Sequence, residues 1–234
     1  MDIFLKILKE WHIDISDAQM EMFQRYYDLL VSWNEKINLT SVTEKQDVFI
    51  KHFADSIVLL KYMDLTGKRV LDIGTGAGFP GVPLKIMCPG CSLVLADSLN
   101  KRIRFLDELI SELDLNDIMT VHGRAEDLAF NKNYREKFDI VTSRAVANLS
   151  TLSEYCIPFV NSSGMFISYK SGSADDEISG AGNAICILGG KLDKVEKFSI
   201  PFTEYDRSLC FVSKCNITDK RYPRKAGTPS KDPL

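Results

Sequence analysis

The spacing of hydrophobic positions changes near residue 67. Before that point they recur at helical intervals. Ile3, Phe4, Ile7, Leu8 and Trp11 form one apolar stripe. Ser16-Asp17-Ala18-Gln19 resembles a capping box and opens a second helix, with Phe23, Tyr26, Tyr27, Leu30 and Trp33 turned inward. A third helix is predicted over 46–62, its stripe including Phe49, Ile50, Phe53, Ile57 and Leu60. These aromatics read as core rather than as a base-stacking surface. Beyond Gly67, short apolar runs alternate with helical stretches, the pattern of an open, mostly parallel sheet. Strands are predicted over 70–73, 92–96, 118–122, 138–142 and 165–169, and helices near 83–87, 100–112, 155–160 and 175–187. Two last strands, 191–200 and 205–214, meet at a short turn around Pro201 and close the sheet as an antiparallel pair. The expected organisation is a helical extension over 1–66 and an α/β domain over 67–234.

The first predicted strand runs straight into glycines, Val70-Leu71-Asp72-Ile73-Gly74-Thr75-Gly76-Ala77-Gly78-Phe79-Pro80-Gly81. A strand, a glycine turn and a helix start present bare backbone to a nucleotide-like ligand. Two fingerprints overlap here. Gly76, Gly78 and Gly81 have the dinucleotide spacing, whereas Asp72, Gly74, Gly76 and Gly78 have the S-adenosylmethionine spacing. The second is preferred because Gly74 directly follows the apolar strand, and because Asp72 suits the cationic end of a methionine. Asp97 closes the next strand about twenty residues on, where an acid can hold ribose hydroxyls. Further along, Arg144 and Lys170 follow the fourth and fifth strands, and Ala125-Glu126 follows the third, within reach of an adenine edge. Ligands of such sheets sit at these strand ends.

Composition narrows the alternatives. With 234 residues, 45% hydrophobic and 26% charged, the chain is an ordinary globular one without a twenty-residue apolar run. Its amino end, with Asp2 and no cleavage-type site, predicts a cytoplasmic protein without an export signal. A net charge of −3 argues against indiscriminate nucleic-acid binding, but the carboxyl end departs from it. There Lys214, Lys220, Arg221, Arg224, Lys225 and Lys231 outnumber Asp219 and Asp232. An ordinary solvated tail is one explanation. The glycine and proline residues of 222–229 favour a shaped loop that presents cations to phosphates. Cys88-Pro89-Gly90-Cys91 has metal-pair spacing, yet no second pair and no histidine at ligand spacing accompany it, so a simple turn is expected and no metal.

Motifs along nearly the whole chain carry a specific resemblance. They are Trp33-Asn34 through Asn38-Leu39-Thr40, His52 with Asp55-Ser56, Leu71 through Gly81, Ala125-Glu126, Ser143-Arg144-Ala145, and Pro223-Arg224-Lys225 through Pro229. The chain resembles the glucose-inhibited division protein B family, guanine-N7 methyltransferases of 16S ribosomal RNA. The resemblance implies a class I, Rossmann-like methyltransferase fold with an amino-terminal helical extension, S-adenosylmethionine as methyl donor, and a guanine in the decoding-region stem-loop as acceptor. The partner is then 16S ribosomal RNA or a small-subunit precursor. It also implies that Gly74, Phe79, Ala125, Glu126 and Arg144 contact the cofactor, with Asp97 on the ribose. Arg144 and Lys170 become candidates to orient the guanine or its phosphate, and Arg221, Arg224, Lys225 and Lys231 to bind RNA. Guanine N7 has a free lone pair and no proton to lose, so alignment rather than a general base is expected to dominate. The stretch after the fourth strand lacks the Asn/Asp-Pro-Pro-aromatic motif used on exocyclic amines. A small-molecule methyltransferase, a non-catalytic ribosome-assembly factor and, more remotely, a nicotinamide dehydrogenase are the competing readings.

Overall fold

The computed structural model describes residues 2–234; Met1, the first residue of the expected extension, lies outside them. Helices α1 (Asp2–Glu10) and α2 (Asp17–Ile37) follow the predicted stripes. The capping box closes as expected: the Ser16 hydroxyl accepts the Gln19 N–H at 3.2 Å, and the Gln19 side chain accepts the Ser16 N–H at 2.9 Å. The predicted third helix is broken. It comprises α3 (Lys45–Val48), a π-helical turn (Phe49–Ala54), α4 (Asp55–Ile57) and a 3-10 turn (Val58–Lys61). Such a wide turn loosens the regular backbone ladder and is common at functional sites.

Seven strands form one sheet in the order β3-β2-β1-β4-β5-β7-β6. They are β1 (Arg69–Ile73), β2 (Ser92–Asp97), β3 (Ile118–His122), β4 (Phe138–Arg144), β5 (Val160–Ser171), β6 (Gly190–Ser199) and β7 (Asp206–Lys214). Strands β1 to β5 are parallel, and β7 slots between β5 and β6, antiparallel to both. The intervening helices are α5 (Gly81–Met87), α6 (Asn100–Glu112), α7 (Ala125–Leu128), α8 (Leu149–Cys156), α9 (Asp175–Gly180) and α10 (Gly182–Ile187), with α11 (Thr228–Lys231) in the tail.

Two helix expectations need correction. The helix expected at 155–160 lies earlier, as α8, because Asn148 caps it by accepting the Thr151 N–H at 2.9 Å; from Val160 the chain is already strand. The helix expected at 175–187 divides into α9 and α10 at Gly180-Ala181-Gly182, where two glycines weaken it. Cys88-Pro89-Gly90-Cys91 is a turn, closed by the Cys91 N–H on the Cys88 carbonyl at 3.2 Å.

Alternation along the strands separates two cores. Val70, Leu93, Leu95 and Ile167 face one core, shared with α5, α6 and the amino-terminal helices through Phe4, Phe23, Tyr26, Phe49 and Phe53. Leu71, Val94, Val141 and Phe166 face the other, beneath α8 and α10. The helical extension is thus packed directly on one face of the sheet. No described helix is long and apolar enough to cross a membrane.

Candidate active site

The carboxyl ends of β1, β2, β4 and β5 open into a cavity of about 870 Å³. Its first wall is the glycine turn. Gly74 and Gly76 have φ of +68° and +62°, values that side chains rarely adopt. A Cβ on Gly74 would stand 2.5 Å from Val146 of the loop after β4. One on Gly76 would meet only the Gly74 carbonyl, at 4.0 Å, because that backbone faces open space. Gly78 lies behind the turn, packed by Tyr26 and Val82.

Asp97, at the end of β2, is nearly fully buried. One carboxylate oxygen accepts the Gly76 N–H at 3.0 Å and Arg102 at 3.1 Å; the other accepts the Leu99 N–H at 2.9 Å. The acid therefore shapes the glycine turn and still borders the cavity, as a ribose-binding group must. Asp72 is different. Its oxygens accept the Thr75 hydroxyl at 2.7 Å, the Gly81 N–H at 3.0 Å and the Thr142 hydroxyl at 3.1 Å, all beneath the turn. Burial, against these three bonds, raises its pKa to about 6. The expectation that Asp72 faces a methionine ammonium is corrected: it does not line the cavity, and braces the turn from below.

The opposite wall comes from the helical extension. Asn34 accepts the N–H groups of Leu39 and Thr40 at 2.6 and 2.8 Å, folding that loop against the cavity. Phe79 is stacked between Tyr26, 5.4 Å away, and His52, 4.6 Å away. The Tyr26 hydroxyl donates to the Ala77 carbonyl, tying α2 to the glycine turn. His52 is 2.8 Å from the Thr40 hydroxyl, and burial together with Arg144 pushes its pKa down to about 3, so the ring is neutral at physiological pH. Arg144 donates to Asp55 at 2.7 Å and reaches the carbonyls of Lys51 and His52 on the π turn, both at 3.4 Å. Asp55 also accepts from Arg207 of β7 at 3.1 Å, so one buried carboxylate joins two arginines.

Several other expected residues are committed elsewhere. The Lys170 ammonium donates to the Ala147 carbonyl at 2.7 Å and pairs with Glu177 at 2.5 Å, holding the loop after β4 rather than pointing freely into the cavity. Ala125 and Glu126 begin α7 just beyond β3 and do not line the cavity. The Glu126 carboxylate accepts the Gly227 N–H at 2.9 Å and so faces the tail. Arg224 forks onto the fully buried Glu154 at 2.7 and 3.0 Å and reaches Asp232, which corrects its expected role as a free phosphate-binding cation. Arg221, Lys225 and Lys231 remain exposed. Tyr26, Lys51, Asp55 and Arg207 were not expected as site residues from their spacing. The available signal was polar His52 and Asp55 inside the apolar stripe of Phe49, Ile50, Phe53 and Ile57.

Comparison with known proteins gives this geometry a family. Residues 19–210 match the family described as GidB, rRNA small subunit methyltransferase G. The chain belongs to that family. It is 48% identical over 236 residues to the ribosomal RNA small subunit methyltransferase G of Lactobacillus johnsonii, covering 100% of this chain and 99% of that protein. The Bacillus subtilis relative of the same name is 47% identical, covering 99% and 97%. Among solved structures, TYW2 of M. jannaschii in complex with AdoMet shares the fold with a TM-score of 0.58 at 13% identity, covering 76% of this chain and 80% of that one. The ribosomal protein L11 methylase of Lactobacillus delbrueckii aligns with a TM-score of 0.54 at 14% identity, covering 71% and 79%. The fold is therefore that of the class I methyltransferases, and the amino-terminal helices are an addition to it.

Proposed function

We propose that this chain transfers the methyl group of S-adenosylmethionine to N7 of a guanine in the decoding-region stem-loop of 16S ribosomal RNA, as part of or on the way to the small ribosomal subunit. One observation carries this reading. A glycine turn and a ribose-type acid form one wall of a cavity whose other residues are rich in cations. Lys51, Arg102, Arg144, Lys170 and Arg207 border it against the carboxylates of Asp55 and Asp97, in a chain whose net charge is −3. Family membership supplies the acceptor class. An acceptor of this kind places the enzyme in the cytoplasm.

The residues present fit the donor: open backbone at Gly76 and a buried acid one strand away make a cradle for an adenosyl group. Gly74 and Gly76 would face it with bare backbone, Asp97 would hold its ribose and Phe79 its apolar edge. When bound, the donor supplies an electrophilic methyl on a sulfonium. The protein's own task is alignment. N7 attacks through an existing lone pair, so no proton has to be removed. Neutral His52 stacks on Phe79 and Arg144 is held rigid by Asp55, so both keep one orientation. In this reading Arg144 orients the guanine, and Lys170 supports it indirectly through its bond to the Ala147 carbonyl. Exposed Arg221, Lys225 and Lys231 are phosphate contacts for the RNA. Mass spectrometry of 16S ribosomal RNA from cells with and without this protein should show one N7-methylguanine lost in its absence. An unaltered modification map would refute the proposal.

A further inference from the structure

We infer that the turn between β6 and β7, together with Lys51, forms the surface on which an unpaired nucleotide beside the acceptor guanine is seated. This rests on the RNA-acceptor reading above and adds where the RNA lies. Phe202, in that turn, is 61% exposed and has φ +64°, a left-handed conformation that is uncommon and costly for a bulky residue. Exposure and strain thus coincide on one aromatic ring. The turn that holds it there is well ordered by its own bonds: Ile200 N–H to the Tyr205 carbonyl at 3.0 Å, the Thr203 hydroxyl to the Ile200 carbonyl at 2.7 Å, and the Tyr205 N–H to the Thr203 hydroxyl at 3.1 Å. Phe202 stands over an open cleft of about 610 Å³, shared with Asp2, Ile3, Lys6 and Gln46.

Two segments connect this cleft to the methyl-transfer cavity. Gln46 in α3 borders the cleft and Lys51, five residues on in the π-helical turn that follows, borders the cavity. Likewise Phe202 borders the cleft and Arg207 the cavity. Between them lies Tyr205, whose ring has the Lys51 ammonium 4.9 Å from its centre and the Arg207 guanidinium 5.7 Å away. Lys51 also pairs with Asp47 at 2.9 Å and Arg207 with Asp55 at 3.1 Å, so Tyr205 and these carboxylates fix two cations at the mouth of the cavity, where a phosphate would compete with Asp47 for Lys51, and Phe202 adds an exposed ring. A ring face and neighbouring cations are what single-stranded RNA uses, stacking a base on the one and laying phosphate on the other. Phe130, also exposed, follows α7 and borders neither cleft nor cavity, which favours Phe202.

Steady-state methylation of small ribosomal subunits by the full-length protein tests this. Phe202→Ala should raise KM for the RNA about tenfold, the scale of one lost stacked base, with S-adenosylmethionine affinity and Tm unchanged. Phe202→Trp should stay within twofold of wild type. Lys51→Gln should also raise KM and reduce the slope of log KM against log salt by about one. Variants that all keep wild-type KM for RNA overturn the surface assignment alone, as would a Phe202→Ala loss matched by a loss of donor affinity. Wild-type protein that methylates no RNA overturns the acceptor reading and this surface with it.

Discussion

His52, partly buried, and Asp72, fully buried, are titratable groups whose shifts act on stability in opposite directions. His52 falls from 6.5 to about 3 in the folded chain. Its contribution is complete above pH 6.5 and is lost as pH falls toward 3, at about 1.4 kcal/mol per pH unit. Asp72 rises from 3.8 to about 6, so its contribution is complete below pH 3.8 and disappears as pH climbs through 6. Comparing wild type with His52→Gln isolates the first effect. In urea unfolding, the stability gap between them should narrow by about 1.4 kcal/mol from pH 7.5 to pH 5.5; a constant gap would rule out an imidazole held neutral in the folded chain. Gly74 carries a different kind of constraint. Gly74→Ala places a Cβ at φ +68° and against Val146, and should cost about 1–2 kcal/mol of stability. Val146 is exposed and can shift, so the backbone strain dominates. Titration calorimetry should show weaker donor binding as well; undiminished affinity would remove Gly74 from the donor site.

Among the elements, the carboxyl-terminal tail departs furthest from its outward, basic appearance. It is fastened at three places. Arg224 forks onto Glu154 of α8, the Gly227 N–H donates to Glu126 of α7, and the Thr151 hydroxyl of α8 donates to the Pro229 carbonyl at 2.9 Å. Arg135 adds bonds to the carbonyls of Tyr222 and Thr218, each at 2.9 Å. Cutting one partner from a buried ion pair costs more than the pair contributed, because a charge is stranded without solvent. Arg224→Ala should therefore lower stability by about 3–5 kcal/mol, measured by chemical denaturation. Lys225→Ala, at the exposed residue next to that anchor, should leave Tm unchanged and raise KM for RNA. If the two variants behaved alike, the tail would not be divided into an anchoring and a contacting residue.

At the scale of the molecule, the helical extension is both half of one core and a wall of the active site. Phe49 and Phe53 lose the rings of Phe4, Phe23, Tyr26 and Tyr27 that pack on them once α1 and α2 are gone. A chain lacking residues 1–43 should lose near-UV circular dichroism and bind ANS, the marks of lost packing; a native-like spectrum would show that the α/β domain stands alone. The division into strands, helices and a glycine turn was readable in the chain because hydrophobic spacing and backbone permissiveness are local properties. Gly74, Gly76 and Asp97 fall in this class, since strand, turn and next strand are joined by short connections. Position in space is not local. Asp72 and Asp97 are the same residue type and both stand in apolar strands, yet one is spent beneath the turn and the other borders the cavity. Arg224 and Lys225 are neighbours, and only the former finds a carboxylate seventy residues away. Asp55 meets Arg144 and Arg207 across spans of 89 and 152 residues. Residue type and order determined which chemistry this protein has; the packing of distant segments decided which of those charges are neutralised inside and which face a substrate, because burial and pairing depend on neighbours that no local pattern encodes.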